Sequence, residues 1–207
     1  MQTMLEMKDI NKSFGVVHAL KGVTLEVKKG ETMALVGENG AGKSTLMKIL
    51  TGAYQRDTGK IILDGEEIKK NTTAAAKKHG IAQVYQQAEL VEELTVAENI
   101  CLGEKAHAPK GLVPWKQMYK AVEELLEHYH MPIHAVTPVK ELSSAMKQFV
   151  AIAKVLFRKP KLIIFDEPTA VLSDSEVTIL FEIIESLKKE QITMIYISHR
   201  MEEVFQL

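Results

Sequence analysis

A glycine-rich run from Gly37 to Thr45 carries the most specific chemical pattern of this 207-residue chain. It fits G-x-x-x-x-G-K-[ST] and stands between a predicted strand and a predicted helix. Glycines let backbone amides converge on an anion, and the positive end of the following helix strengthens the attraction. The pattern predicts a polyphosphate cradle rather than a glycine-rich turn without a ligand. The cradle residues are Gly37, Glu38, Asn39, Gly40, Ala41, Gly42, Lys43, Ser44 and Thr45.

The side chains at the end of this run have distinct expected tasks. We expect the ammonium group of Lys43 to reach the β- and γ-phosphates of a nucleotide, and the hydroxyl of Ser44 to bind Mg²⁺. The chain lacks the N-K-x-D motif that guanine nucleotide readers usually carry. ATP is therefore the favoured nucleotide.

Two consecutive carboxylates, Asp166 and Glu167, follow an apolar run from Leu162 to Phe165 that reads as a buried strand. We expect Asp166 to hold magnesium through water, beside the phosphates. Glu167 is expected to orient, or accept a proton from, the water that attacks the γ-phosphate. The structural alternative is a salt-bridged strand end.

The composition is that of an ordinary globular protein. Lys and Arg number 26 against 27 Asp and Glu, a net charge of −1, and 46% of the residues are hydrophobic. This balance gives no bulk attraction to nucleic acid or to an anionic membrane. The single cysteine, Cys101, excludes an internal disulfide and a Cys-based zinc site. No stretch is apolar enough to span a bilayer, and the N-terminus does not resemble a signal peptide, so we expect a cytoplasmic protein.

Strands and helices alternate at both ends of the chain, and a helical block separates them. This order predicts an α/β fold with a helical insertion. Beyond the strands of the first sixty or so residues, strands are predicted at Thr32–Val36, Ile81–Tyr85, Leu162–Phe165 and Ile192–Ile197. Helices are predicted at Thr45–Leu50, from Pro114 onwards, at Ser144–Phe157, after a capping box of Ser173 and Glu176, and at Met201–Leu207.

Gln86, the LSSAMKQ segment from Leu142 and His199 complete a pattern that closely resembles the nucleotide-binding subunit of ATP-binding-cassette (ABC) transporters. The resemblance covers essentially the whole chain. Segments such as KSFGVVHALKGV, DEPTAVL and YISHRMEEV are similar to the carbohydrate-import group for ribose, galactosides and allose. The family fold is a P-loop NTPase, a RecA-like mixed sheet core with an antiparallel β subdomain and an inserted helical subdomain. The resemblance thus implies an ATP-binding core from 1–87 and 159–207, and a helical signature subdomain from 88–158.

The resemblance assigns roles to three further side chains. Phe14 matches the aromatic residue that stacks on adenine. Gln86 matches the glutamine that touches magnesium and the attacking water. His199 matches the histidine that contacts the γ-phosphate. The alternatives are a buried core phenylalanine, a solvated glutamine at a strand end and a structural histidine.

The signature segment departs from the family pattern. LSGGQ, or LSxGQ in sugar importers, binds the γ-phosphate of an ATP held by the opposite cassette, and here Ser143, Ser144 and Ala145 occupy its centre. Ser143 keeps the hydroxyl, but Ala145 replaces a glycine. If the backbone there needs positive φ, the change costs about 1 to 2 kcal/mol, and its methyl group would enter a tight interface. We therefore expect a weakened signature.

The resemblance implies an ATP-hydrolysing subunit of an importer, with ATP and Mg²⁺ as cofactors, that powers sugar uptake. The implied partners are a second cassette, either the C-terminal half of a longer chain or another copy of this one, and a membrane permease. A periplasmic or extracellular sugar-binding protein would take part indirectly, and no nucleic acid is expected. The chain would lie at the inner face of the cell membrane.

Sugar importers of this group carry two cassettes on one chain, so we expect the 207 residues to be an N-terminal cassette, a fragment of a longer protein. The alternative function is a non-transport ABC-type ATPase, a nucleotide-gated clamp in DNA repair or translation. A P-loop small-molecule kinase would not explain Gln86, Ser143 and His199 together.

Overall fold

The computed structural model describes residues 2–38, 40–103 and 114–207, so the cradle residue Asn39 lies outside the described residues. The chain divides into two compact units. The first unit contains Met1–Gln83, Pro160–Glu167 and Leu187–Leu207, and the second contains Val84–Lys159 and Pro168–Ser186. The domain division expected from the sequence, with boundaries at 87/88 and 158/159, stays a prediction.

An antiparallel sheet with the strand order β2-β1-β4-β5 forms one layer of the first unit. Its two long strands form a hairpin that pairs Phe14 with Val17, and β1 also pairs with β4. The long strands bury the side chains that the alternating pattern places inside, among them Leu5, Met7 and Val27. The strands are β1 (Thr3–Phe14), β2 (Val17–Lys28), β4 (Thr58–Leu63) and β5 (Glu66–Glu67).

A second sheet has the order β3-β8-β7-β6, and both β3 and β7 pair with β8 in parallel. Residues 162–165 of β7 are fully buried, as expected for a parallel strand that is covered on both faces. Because parallel strands end at the same edge, Asp166 at the end of β7 pairs with Ile197 at the end of β8. The strands are β3 (Thr32–Leu35), β6 (Ile81–Val84), β7 (Leu162–Asp166) and β8 (Thr193–Ile197).

The core of the first unit joins both sheets to the helix that follows β3. This helix, α1 (Lys43–Leu50), buries Leu46, Met47, Ile49 and Leu50. Leu5 of the antiparallel sheet and Ile164 of the parallel sheet belong to the same apolar cluster. The phosphate-loop sequence is therefore attached to a half-buried strand on one side and a buried helix face on the other. This attachment holds its backbone in place.

The second unit is built mainly from helices. Among them α3 and α4 each pack on α5, and α3 also packs on α4. Thr95 and Glu98 form a capping box at the start of α3, and the side chain of Ser143 caps α5. The structure shows one half of the capping box predicted for Ser173 and Glu176, because the backbone amide of Ser173 donates to Glu176 Oε2 over 2.8 Å. The helices are α3 (Val96–Cys101), α4 (Trp115–His128), α5 (Ser144–Phe157) and the start of α6 (Asp174–Lys189), with a 3-10 turn at Val139–Glu141.

The bounds predicted for α5 agree with the structure, and the last helix, α7 (Met201–Gln206), is also present as predicted. Sequence reasoning missed one short helix of the first unit, α2 (Thr73–Lys78), which the side chain of Thr72 caps by accepting from the amide of Ala75. Sequence reasoning also predicted the helical block without separating α3 from the rest of it. The T-x-x-E spacing of Thr95 and Glu98 was the signal that could have placed α3.

Candidate functional site

The phosphate loop turns between β3 and α1 with backbone geometry that requires glycine at Gly42. This residue has φ of +89°, in the left-handed region. A Cβ atom there would lie 2.8 Å from Cδ2 of Leu20 and 3.0 Å from the carbonyl oxygen of Ala19. Any side chain would therefore meet both backbone strain and a clash with β2.

The ammonium group of Lys43 folds back over the loop. It donates to the carbonyl oxygen of Gly37 over 2.5 Å and to that of Glu38 over 2.9 Å. In the part of the chain that the structure describes, no side chain caps the N-terminus of α1, and the first turn contains no acidic residue. The amide groups of Lys43, Ser44 and Thr45 thus remain at a positive helix end, which is the arrangement that binds anions.

Asp166 ends β7 with a half-buried carboxylate. Its Oδ2 atom accepts a hydrogen bond of 3.0 Å from the side-chain amide of Gln83 on β6. Burial is the main cause of a raised pKa for Asp166, and the neighbouring charge of Glu167 raises the pKa further. The Gln83 hydrogen bond and the positive charges of Lys48 and Lys43 act in the opposite direction. A cation placed at this carboxylate would favour its ionised form.

Glu167 turns away from the strand that Asp166 ends. Its φ of +47° is unusual for a residue with a side chain, and its amide donates to the carbonyl oxygen of Ile197 over 3.1 Å. The turn places the Glu167 carboxylate beside His199, and Oε1 of Glu167 lies 3.2 Å from Nδ1 of His199. Backbone strain of this kind is typical of functional sites.

Phe14 ends β1 with its side chain 42% exposed, so the alternative of a buried core phenylalanine is wrong. Its ring meets that of Tyr54 edge to face, with centroids 5.3 Å apart and an angle of 68° between the rings. The ammonium group of Lys12 lies 5.3 Å from the centroid of the Phe14 ring. An exposed ring held in this way suits stacking on a flat heterocycle.

The remaining candidates lie in the second unit, where Gln86 follows β6 with an exposed side chain. Ser143 accepts a hydrogen bond of 3.2 Å from the amide of Met146 and so begins α5, whose first two residues are Ser144 and Ala145. Ala145 is helical, is not among the described residues of positive φ, and is only 6% exposed. The strain argument for a weakened signature is therefore wrong, and the methyl group of Ala145 is buried rather than presented to a partner.

Comparison with known proteins agrees with the fold described above. The ABC transporter family model matches residues 20–170. The chain belongs to the ABC transporter family. Among solved structures, a nucleotide-free ATP-binding cassette from an ABC transporter is 30% identical, with a TM-score of 0.86 over 99% of this chain and 84% of that one. A dimeric cassette in a post-hydrolysis state, bound to ADP and Pi, is 26% identical, with a TM-score of 0.82 over 96% of this chain and 89% of that one.

Two curated relatives of this ABC cassette are sugar-import proteins by name. A galactose/methyl galactoside import ATP-binding protein of Photobacterium profundum is 44% identical over 100% of this chain and 42% of that protein. A xylose import ATP-binding protein of Thermoanaerobacter pseudethanolicus is 45% identical over 99% of this chain and 41% of that protein. The chain thus spans about two fifths of the length of the curated relatives it matches. Of the helices in the described residues, none is long and apolar enough to cross a membrane.

The oxygen atoms of the ABC cassette fit Mg²⁺ better than a softer metal. In the first unit, Asp166 offers a carboxylate and Ser44 a hydroxyl, which are the hard ligands that Mg²⁺ prefers. Within residues 2–38, 40–103 and 114–207, no three His, Cys, Asp or Glu side chains gather in a group that could hold a metal by themselves. In proteins, Mg²⁺ is usually bound by one or two carboxylates together with substrate phosphates, and Asp166 could supply such a carboxylate.

Sequence reasoning missed three side chains of this region: Gln83, Lys48 and Tyr54. Gln83 had a readable signal, because it is a polar residue that shares one face of β6 with the buried Ile81. Lys48 lies in α1 and its charge acts on Asp166. Nothing in the local sequence indicates the contact between Tyr54 and Phe14, which are 40 residues apart.

Proposed function

We propose that this ABC cassette binds and hydrolyses ATP with Mg²⁺ and powers sugar import through a membrane permease. The observation that carries the proposal is the joining of three groups in one unit: the phosphate loop with Lys43, the carboxylate of Asp166, and the pair of Glu167 and His199. The family supports ATP as the ligand.

Binding of the nucleotide would use both ends of the loop region. The amide groups at the start of α1 attract the phosphates, and Lys43 exchanges its bonds to the carbonyl oxygens of Gly37 and Glu38 for bonds to phosphate oxygens. Phe14 stacks on the adenine ring. Ser44, Asp166 and Gln86 would hold Mg²⁺, which, when bound, neutralises charge on the β- and γ-phosphates.

Hydrolysis needs a water molecule aligned with the γ-phosphorus. An oxygen–phosphorus bond forms from this water as the bond from the γ-phosphorus to the bridging oxygen of ADP breaks, and a proton of the water passes to the carboxylate of Glu167. His199 holds this carboxylate through Nδ1, which leaves its Nε2 atom for the γ-phosphate. Gln86 also orients the water.

A second cassette would complete the site. Its Ser143 and Ser144, at the N-terminus of α5, would face the γ-phosphate of the ATP bound here, and this cassette would do the same in return. The dimeric solved relative supports the arrangement. The sugar-import names of the curated relatives support a permease as the membrane partner. A sugar-binding protein would act indirectly, and the cassette would lie at the inner membrane face.

The first test measures the equilibrium affinity of the chain for a fluorescent ATP analogue. Lys43→Ala removes the charge that meets the phosphates, so we expect the dissociation constant to rise at least about tenfold. Lys21→Ala, at an exposed position on β2, is the matched control and should bind as the wild type does. Unchanged affinity of Lys43→Ala would contradict the proposal that this loop binds the phosphates of ATP.

The second test concerns the transport partner. The tagged protein in its native cells should copurify with a membrane permease. Copurification with ribosomes or DNA instead would favour the non-transport class of ABC-type ATPases and remove sugar import from the proposal.

A further inference from the structure

Gln83 occupies a position that the strand pattern assigns to the core. Side chains alternate along a strand, so Gln83 of β6 shares a face with Ile81, which is only 5% exposed. Val84 at the end of the strand is also buried. A polar amide in such a strand contradicts the local rule, and contradictions of this kind concentrate at functional sites.

The orientation of the Gln83 amide follows from the group it meets. Its nitrogen lies 3.0 Å from Oδ2 of Asp166, and an ionised carboxylate can only accept, so the NH₂ group must face Asp166. The Oε1 atom of Gln83 is then buried with no hydrogen-bond partner in the described ranges 2–38, 40–103 and 114–207. A buried acceptor without a partner destabilises the fold. The Gln83 side chain therefore offsets this cost only through the hydrogen bond that its NH₂ group donates to Asp166.

We propose that Gln83 is a positioning residue for the divalent metal of the nucleotide site. By holding Oδ2 of Asp166 from the β6 side, it would fix the rotation of the carboxylate that is proposed to hold Mg²⁺. Outer-shell hydrogen bonds to a ligating carboxylate commonly act in this way. The inference rests on the magnesium site of the proposed function and adds to it a residue that does not itself touch the metal.

The test measures metal affinity rather than activity. Mn²⁺ replaces Mg²⁺ as a paramagnetic probe, and its binding to the chain with ATP is followed by electron paramagnetic resonance. Gln83→Met keeps the approximate shape of the side chain without its amide, and Gln83→Val restores a common strand residue. We expect both variants to bind Mn²⁺ roughly tenfold more weakly than the wild type. Their affinity for ATP in the presence of EDTA should be that of the wild type.

A threonine of the same unit provides the matched control. Thr51 is 9% exposed and its hydroxyl donates to the carbonyl oxygen of Met47 over 3.0 Å, so Thr51→Val also removes a buried side-chain hydrogen bond. Its Mn²⁺ affinity should equal that of the wild type. Thermal unfolding is measured for each protein, and Gln83→Met should fold because it also removes the unpartnered oxygen.

The outcomes separate this inference from the function on which it rests. Wild-type Mn²⁺ affinity in both Gln83 variants overturns the positioning role and leaves the magnesium site intact. A tenfold loss in Thr51→Val as well would overturn it too, because the effect would then follow from the loss of any buried side-chain hydrogen bond. A wild-type chain that binds ATP but no Mn²⁺ overturns the magnesium site and this inference together.

Discussion

The Nδ1 atom of His199 lies 3.2 Å from Oε1 of Glu167, although the two residues are 32 positions apart in the chain. Each follows the end of one of two neighbouring parallel strands, β7 and β8. Because an ionised carboxylate only accepts, the Nδ1 atom carries the proton of this hydrogen bond, and Nε2 is the ring nitrogen left to contact a ligand. One contact thus positions two of the side chains assigned to hydrolysis.

Glu167→Gln should separate nucleotide binding from turnover. The amide has the shape of the carboxylate but cannot accept a proton from the attacking water, so we expect phosphate release to fall by about 100-fold or more. Affinity for a fluorescent ATP analogue should stay within about twofold, because the phosphate loop is unchanged. Glu182→Gln, at an exposed position of α6, is the control with wild-type turnover. Retained turnover in Glu167→Gln would remove Glu167 from the role of base.

The contact between Glu167 and His199 predicts non-additive kinetics. His199→Ala should slow phosphate release both by itself and by releasing the Glu167 carboxylate. In the Glu167→Gln background the second effect is absent, so the further loss should be smaller, with a coupling of about 0.5 to 3 kcal/mol. The measurement is a double-mutant cycle on phosphate release at saturating Mg-ATP. Fully additive losses would show that the two side chains act independently.

Asp166→Asn should stabilise the chain in the absence of nucleotide and metal. Burial and Glu167 raise the pKa of Asp166 in the folded state, so this state binds more protons than the unfolded chain. The stability contributed by Asp166 is then fully present below the unfolded pKa and is lost as pH rises through the raised folded pKa. At neutral pH we expect the Tm of Asp166→Asn to exceed that of the wild type by a few degrees, about 2 to 4 °C per kcal/mol in a chain of this size. The difference should shrink towards about pH 4.

Asp57 is the control for this experiment, because its contribution to stability should change with pH in the opposite direction. Hydrogen bonds from the ammonium group of Lys12, over 2.8 Å, and from the amide of Ser13, over 2.7 Å, lower the pKa of Asp57. The stability that Asp57 contributes is therefore present above its pKa in the unfolded chain and is lost as the pH falls through its lowered pKa in the folded state. Asp57→Asn should lower the Tm at neutral pH and match the wild type in acid. An Asp166→Asn Tm below that of the wild type at neutral pH would contradict the electrostatic account.

Ala145→Gly should destabilise the second unit without repairing the signature. Ala145 is helical and buried at the start of α5, and glycine there costs roughly 0.5 to 1 kcal/mol relative to alanine. Thermal unfolding should show a Tm lower by about 2 to 4 °C per kcal/mol. A rise in ATPase activity of the assembled transporter would restore the expectation that alanine weakens the signature.

Elements with strong local signals were predicted well. The bounds of α5 agree with the prediction because Ser143 caps its start and the apolar period is clear over all 14 residues. The short helix α2 was missed because its six residues, Thr73–Lys78, bury only Ala76 and so show no apolar period. The expected strain at Ala145 was wrong because the cap at Ser143 already starts the helix and gives Ala145 ordinary helical geometry.

The sequence by itself determined the phosphate loop, the carboxylate pair and the family, because each depends on residue types at short, defined spacing. Such spacing specifies local backbone geometry, as the left-handed Gly42 at the start of α1 illustrates. Only the tertiary structure decided that Gln83 meets Asp166, that His199 meets Glu167 and that Tyr54 holds Phe14. These pairs are distant in the chain, and their contact follows from strand order, strand register and core packing, which no short pattern of residues encodes.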